Sequence, residues 1–283
     1  MTNEMKIALK CLAPMAHGAF GESAGNATPI RRIKVVGVNG MPRVPVLSGN
    51  SVRAVMRRLV MRDLLIDRAG LGPGLLPGAQ WDRLYACLAN GGHLEGEGVA
   101  TIKPEDVRAL REEIPPLSVF GAALYSWMLP GHMTVGFAYP RCRETLAAGL
   151  VTEAPDVAAE DLVDEVSLVR HIDREYQDPK VSGVTPMPTT VETMAIGTVL
   201  ETTIRFARSA TDVERGVIAY AAGQITALGA KAGAGFGVVD VSGDMDEAPY
   251  LEWLQETDDI QDRLRRLAAY LSTKKPAKPG KGA

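Results

Sequence analysis

The stretch Gly229-Ala-Lys-Ala-Gly-Ala-Gly-Phe-Gly237 lies between a predicted helix and a predicted strand. The helix is indicated by apolar residues at helical spacing from Thr211 to Leu228, behind a Thr-Asp start. The strand is predicted over Phe236 to Val241. Nucleotide-binding glycine loops have the order strand, loop, helix, which brings phosphates to a helix N-terminus. The reversed order here argues against a nucleotide-binding enzyme of that kind.

The composition of the loop still suits a polyanion. Glycine lets a backbone approach a ligand closely, and successive N–H groups form concavities that bind anions. Lys231, Gly233 and Gly235 are therefore candidate contacts to a phosphodiester chain. The alternative is structural, with Gly229 ending the helix and the other glycines turning the chain. Both interpretations are open from the sequence alone.

A second informative segment, from Pro45 to Leu65, predicts an amphipathic helix that carries arginines. Residues 48–51 offer N-cap chemistry at its start. Unsatisfied N–H groups favour an anion at that end, and guanidinium groups bind phosphate oxygens well. Candidate phosphate contacts are Asn50, Ser51, Arg53 and Arg57. The alternative is an arginine face that is simply solvated.

Composition narrows the class of protein. Apolar residues are 46% of the 283 residues, which is usual for a globular chain, and no apolar run approaches a membrane span. The N-terminus lacks the layout of a signal peptide, so we expect a cytoplasmic protein without a membrane partner. The 3 cysteines are widely separated and predict neither disulfides nor a zinc site. No cofactor and no metal site are predicted.

Charge is distributed unevenly around a net value of −3. Basic residues dominate from Arg31 to Arg68, whereas acidic residues concentrate in 153–165 and 244–262. Residues 273–283 form a basic, low-complexity tail that we expect to be disordered. A local basic region is compatible with a nucleic-acid partner despite the acidic total.

The remaining pattern completes a fold prediction. Strands are predicted at Lys6–Leu12, His132–Tyr139 and Gly197–Phe206, and helices at Trp81–Leu88, Pro104–Arg111 and, buried, Ser118–Trp127. The order strand, helix, strands, helix, strand with a long insertion predicts an α+β, ferredoxin-like core.

Four segments follow one another along the chain: Pro14-Met-Ala-His-Gly18 at the end of the N-terminal strand, Val46-Leu-Ser-Gly-Asn-Ser-Val-Arg53 at the start of the first helix, Val191-Glu-Thr-Met-Ala-Ile-Gly-Thr198, and the loop Gly229–Gly237. In these segments the chain resembles the CRISPR-associated RAMP proteins, specifically the backbone subunit that polymerises along a guide RNA, most like that of type IV or type III. The second segment resembles the family's start of the first helix, the third its strand entry after the thumb, and the fourth its C-terminal glycine-rich loop. Together the four segments span most of the chain, and their order and spacing make the resemblance specific.

The resemblance implies a modified ferredoxin-like, RRM-like palm with helical insertions and an extended thumb hairpin. It implies one domain over 1–272, with the palm at 1–68 and 195–243, a helical or finger insertion at 69–130 and the thumb at about 170–193. His17, Arg170, Arg174 and Met187 join the candidate RNA contacts, with Met187 as an apolar wedge. The alternatives are that His17 only satisfies a turn and that the thumb stretch is an ordinary surface loop. Aromatic residues are only 5% of the chain, so binding is expected to be independent of base sequence.

The implied partners are guide RNA, target DNA or RNA paired to it, copies of the chain and other subunits of the effector complex. In the RNA-cleaving members of the family, an aspartate in the loop after the first strand supports cleavage. No aspartate occurs between Gly18 and Arg32; Asn26 lies in the matching stretch, and Glu22 is the nearest carboxylate. We therefore predict no catalytic residues and no nuclease activity. A metal-dependent RNase of the same superfamily is the alternative.

Overall fold

The computed structural model describes residues 3–19, 27–37, 40–94, 104–125, 127–168 and 188–273. The strands are β1 Glu4–Cys11, β2 Ala27–Thr28, β3 Arg32–Lys34, β4 Arg43–Pro45, β5 Gly92–Leu94, β6 Ala122–Tyr125, β7 Trp127–Leu129, β8 Met133–Val135, β9 Tyr139–Pro140, β10 Val163–Leu168, β11 Thr189–Met194, β12 Val199–Phe206 and β13 Val239–Gly243. The α-helices are α1 Gly49–Arg62, α2 Gly78–Asn90, α3 Pro104–Glu113, α4 Pro115–Phe120, α5 Arg143–Ala147, α6 Asp212–Gly223, α7 Ala248–Glu256 and α8 Ile260–Thr273.

The central sheet has the strand order β13-β1-β12-β8, and β9 also pairs with β12. All these pairings are antiparallel. With α1 after β1 and α6 after β12, the elements follow the order β, α, β, β, α, β of a ferredoxin-like fold. The predicted α+β, ferredoxin-like class is confirmed.

Alternation along β1 shows which face of the sheet is covered. Ile7 and Leu9 are buried, whereas Lys6 before them and Lys10 after them are exposed. Apolar residues of α1, such as Met56, complete the same core cluster. The helices therefore pack on one face of the sheet and leave polar side chains on the other.

Both core helices begin where capping chemistry predicts. At α1, the Ser48 Oγ accepts a hydrogen bond from the N–H of Ser51 at 3.3 Å. At α6, Thr211 and Glu214 cap each other reciprocally, with distances of 2.8 and 3.2 Å. A π-helical segment at 63–68 continues α1.

Smaller elements surround the core. Strands β10 and β11 form an antiparallel ribbon, and β11 pairs in parallel with β2. Strands β3 and β4 form a hairpin between β1 and α1. Strands β5, β6 and β7 form a separate sheet.

Several predicted elements differ from the structure. The predicted helix over Ser118–Trp127 is wrong beyond Phe120, because Gly121 adopts φ 67° and the chain continues as β6 and β7. Helix α6 stops at Gly223 rather than near Leu228, and the last palm strand begins at Val239 rather than Phe236. The sequence reading missed α7 and α8 in the acidic C-terminal region, although Leu264 and Leu267 of α8 are core residues.

Candidate nucleic-acid interface

Lys231 is the only non-glycine residue with a positive φ in the described part of the chain. Its φ and ψ are 62° and 28°, which is left-handed, and a right-handed 3₁₀ turn over Ala232–Ala234 follows it. A left-handed residue followed by a right-handed one turns successive N–H groups toward one point and forms an anion-binding nest. The loop thus has the backbone geometry of an anion site, with an exposed lysine on it.

Three consecutive N–H groups of this nest make no hydrogen bond within the described part of the chain. Those of Lys231, Ala232 and Gly233 have no acceptor among the described residues, whereas those of Ala234 and Gly235 donate within the turn at 2.8 and 3.0 Å. The first three groups are at the surface and are free to bind an anion from solution.

The glycines of the loop have different reasons to be glycine. At Gly229 and Gly237, φ is positive and a Cβ would overlap the carbonyl oxygens of Ala16 and Leu228, respectively. Gly235 has φ 84° but open space around it. Gly233 has neither a positive φ nor any described atom within 4 Å of a Cβ position. Neither backbone conformation nor packing requires glycine at 233, so close approach by a ligand is a reason that fits.

The segment Pro14–Gly18, after β1, holds the loop in place. The Ala230 N–H donates to the Ala16 carbonyl at 2.7 Å, and the Gly237 N–H donates to the Pro14 carbonyl at 2.8 Å. The predicted glycine loop and the predicted Pro14–Gly18 motif are therefore neighbours in space.

His17 connects the same segment to α1. Its Nε2 accepts a hydrogen bond from the Ser48 N–H at 3.2 Å, directly before the first turn of the helix. Burial, and then the charge of Arg31, lower the pKa of His17. A neutral imidazole is required for this acceptor role. His17 thus fixes the start of α1 beside the loop, with Asn50 exposed and Ser51 half-buried in the first turn.

The structure gives Arg57 a role other than the predicted one. Its side chain is 6% exposed, and its guanidinium donates to the carbonyls of Leu88, Cys87 and Gly121 at 2.5, 2.9 and 2.7 Å. Burial lowers the pKa of Arg57 to about 10. Arg57 is a buried structural residue, and its expected phosphate contact is not what this geometry shows.

Arg53 is intermediate in burial, and burial lowers its pKa. One of its terminal nitrogens donates to the Phe120 carbonyl. The arginines at the start of α1 therefore connect this helix to the α2–β6 region, in place of the solvated face that was the alternative prediction.

A basic pocket that the prediction missed is lined by Arg31, whose N–H donates to the His17 carbonyl at 2.8 Å. It has a volume of about 300 Å³, and its lining includes Arg31, Arg32, Arg43 and the ring of Phe137. Arg32 is bound at 2.6 Å by Glu192, which also accepts from the Ile30 N–H at 2.8 Å. Burial raises the pKa of Glu192, but these hydrogen bonds outweigh burial and hold it below its usual value. The carboxylate is thus a fixed anchor for Arg32.

Three candidate contacts, Arg170, Arg174 and Met187, lie outside the described residues, as do Glu22, Asn26 and the basic tail from residue 274. Strand β10 precedes the predicted thumb segment, and β11, which pairs with it, forms the C-terminal end of that segment. In the described ranges, no group of three or more His, Cys, Asp or Glu side chains is placed to hold a metal ion. No helix in those ranges is long and apolar enough to cross a membrane.

Comparison with solved structures finds a similar fold. A chain of a structure described as a type IV-B CRISPR complex is similar, with a TM-score of 0.58 and 20% identity over 85% of this chain and 90% of that chain. The two chains share a fold. This likeness bears out the predicted resemblance to CRISPR RAMP proteins at the level of the fold. Csc2 of Thermofilum pendens matches with a TM-score of 0.43 and 15% identity over 95% of this chain and 80% of that chain. Comparisons with protein-family models and with curated proteins find no match.

Proposed function

We propose that this chain is a non-catalytic backbone subunit of a CRISPR effector complex. In this role it binds guide RNA through the sugar-phosphate backbone and assembles with further copies along the strand. Target DNA or RNA pairs with the guide, and other effector subunits complete the complex.

The left-handed Lys231 carries this proposal. A non-glycine residue in this conformation costs about 1–2 kcal/mol, and such strain clusters at functional sites. Here glycine, which would bear no such cost, lies on either side in the loop, yet the strained position keeps a lysine. Lysine adds a positive charge to a nest of free N–H groups, which is the chemistry that binds phosphate.

The neighbourhood of Lys231 fits a long polyanion better than a single anion. Pro14–Gly18 places the loop beside the first turn of α1, where Asn50 is exposed. N–H groups at the loop and at the helix start then lie along one surface. An extended chain of phosphates contacts both, and such contacts carry no base specificity.

The thumb and the self-assembly belong to the same proposal. The antiparallel ribbon of β10 and β11 supports an extension between residues 168 and 189. We propose that this segment, with Arg170, Arg174 and Met187, reaches over RNA bound by a neighbouring copy. The lack of an aspartate between Gly18 and Arg32 supports a backbone role over the alternative of a metal-dependent RNase.

A salt series tests the proposal. Binding of a fluorescein-labelled single-stranded RNA is measured by polarisation for wild type, Lys231→Gln and Lys231→Gly. Both variants are expected to weaken binding of two unrelated RNA sequences equally. Each should reduce the slope of log K against log salt by about 0.7, because one phosphate contact is lost. Lys231→Gly also relieves the strain, so its folding is preserved.

Arg208→Gln is the matched control, because Arg208 is exposed beyond β12, at the opposite end of the central sheet from Pro14–Gly18. It should bind RNA as wild type does. Equal loss in the control and the Lys231 variants would mean that attraction is diffuse and that the loop is not the site. Cleavage of a paired target RNA by the purified assembly would instead favour the RNase alternative.

A further inference from the structure

We propose that Phe137 and the pocket beside it bind one nucleotide of a single strand, with the base against the ring and the phosphate between Arg31 and Arg43. This inference rests on the proposed function and extends it from backbone contacts to a base contact. A stacked base is compatible with the expected independence of base sequence, because every base has a face that can stack.

The ring of Phe137 is exposed although its backbone is held in place. Phe137 is 39% exposed, although the chain is folded tightly on both sides of it. The neighbouring Ala138 is fully buried and pairs through its backbone with Leu47 at 3.1 and 2.9 Å. The Gly136 N–H donates to the Thr203 carbonyl at 3.0 Å. The backbone is thus fixed, and the ring is held at the surface rather than left on a loose loop.

Phe137 lies beside the start of α1. Gly49 packs so closely on the carbonyls of Val135 and Gly136 that a Cβ there would overlap both oxygens. Phe137 therefore lies next to the helix start to which His17 is bonded. A strand that follows the loop and the first turn of α1 reaches this ring next.

Positively charged side chains surround Phe137. Phe137 lines the pocket of about 300 Å³ with the three arginines, and it also borders a second concavity of about 470 Å³ on the open face of the sheet. Glu192 holds Arg32, whereas Arg31 is half-buried and Arg43 exposed, neither with an acidic partner among the described residues. Two available guanidinium groups beside an aromatic face suit a phosphate and its attached base.

The second aromatic residue on this surface is Tyr139, whose ring centroid is 6.3 Å from that of Phe137. It lines the second concavity together with Lys6 and Arg205. Arg205 is paired with Glu4 at 2.8 Å, so the free positive charge is greater on the side of Arg31 and Arg43. The nucleotide is therefore placed on that side of Phe137.

The experiment combines substitutions of Phe137 with removal of the base from the RNA. Binding of base-bearing and abasic single strands is compared for wild type, Phe137→Ala and Phe137→Trp. Phe137→Ala is expected to weaken binding of the base-bearing strand by about 5- to 150-fold, the range for loss of one stacked base. It should leave the affinity for the abasic strand and the salt slope unchanged. Phe137→Trp should bind the base-bearing strand as wild type does. Arg31→Gln and Arg43→Gln should each lower the salt slope by about 0.7 on both strands.

Tyr85→Ala serves as the control, because Tyr85 on α2 is 37% exposed, close to the value for Phe137. It should bind both strands as wild type does. Equal losses on the base-bearing and abasic strands would show that Phe137 only supports the fold and would overturn the inference. Wild-type affinity in Phe137→Ala, together with weakened binding in Lys231→Gln, would overturn the inference while the proposed function stands. Absence of RNA binding by wild type would overturn both.

Discussion

Replacing Arg57 by methionine should lower stability strongly while leaving the electrostatics of RNA binding intact. Methionine keeps most of the apolar stem but removes all three donors to the carbonyls of Leu88, Cys87 and Gly121. Each buried acceptor left without a partner costs about 1–3 kcal/mol. Three such acceptors give a loss of about 3 kcal/mol even at the lower end of that range.

Urea denaturation followed by circular dichroism measures this loss. With a slope of about 3 kcal/mol per molar urea for a chain of this size, the midpoint should fall by about 1 M. Arg57→Lys should also be destabilised, because a single ammonium group cannot reproduce a planar fork aimed at three carbonyls. Arg58→Met is the control on the same helix, because Arg58 is exposed, and it should change stability by no more than about 0.5 kcal/mol.

The reasoning would be refuted by an Arg57→Met protein that unfolds like wild type and binds RNA with a reduced salt slope. That result would assign Arg57 to phosphate binding, as the helix pattern alone predicted. Reduced stability with an unchanged salt slope is the result that this structure requires.

Three further predictions concern the glycine loop, His17 and the thiols. Gly237→Ala should destabilise the protein by more than about 1 kcal/mol, because its φ of 71° disfavours a side chain and a Cβ there would meet the Leu228 carbonyl. Gly233→Ala should unfold at the wild-type midpoint and weaken only RNA binding. Burial lowers the pKa of His17 from its ordinary value of 6.5, so the unfolded state binds more protons than the folded state as the pH falls through that value. In urea titrations, the stability of wild type relative to His17→Gln should therefore fall as the pH is lowered from about 7 to 5. The three cysteines are buried, and burial raises the pKa of the Cys11 and Cys87 thiols to about 12, so the native protein should not react with Ellman's reagent until it is unfolded.

Local chemistry made much of the fold predictable. Alternation predicted β1 and β12, and capping residues predicted the starts of α1 and α6. The prediction of a helix from Ser118 to Trp127 was wrong beyond Phe120, because the apolar residues of this segment fit a buried helix and a buried strand equally well. Gly121, with φ 67°, decides between them, and its backbone is packed against Gly131.

The site was predictable in part for a related reason. Residue type and position identified the loop with Lys231 and the start of α1, both of which are hydrogen-bonded to the Pro14–Gly18 segment in the structure. The sequence could not separate Arg57 from Arg53, since the partners of Arg57 come from α2 and from the turn after α4, far along the chain. Phe137 was missed because nothing local marks it; the arginines beside it come from another part of the sequence.

Hydrogen–deuterium exchange with and without bound RNA tests the central claim most directly. The N–H groups of Lys231, Ala232 and Gly233 have no acceptor among the described residues, so these three amides of the 229–237 segment should exchange quickly in the free protein. Saturation with single-stranded RNA should slow their exchange, while peptides around Arg208 stay unchanged. Saturated RNA binding without protection of 229–237 would contradict the account.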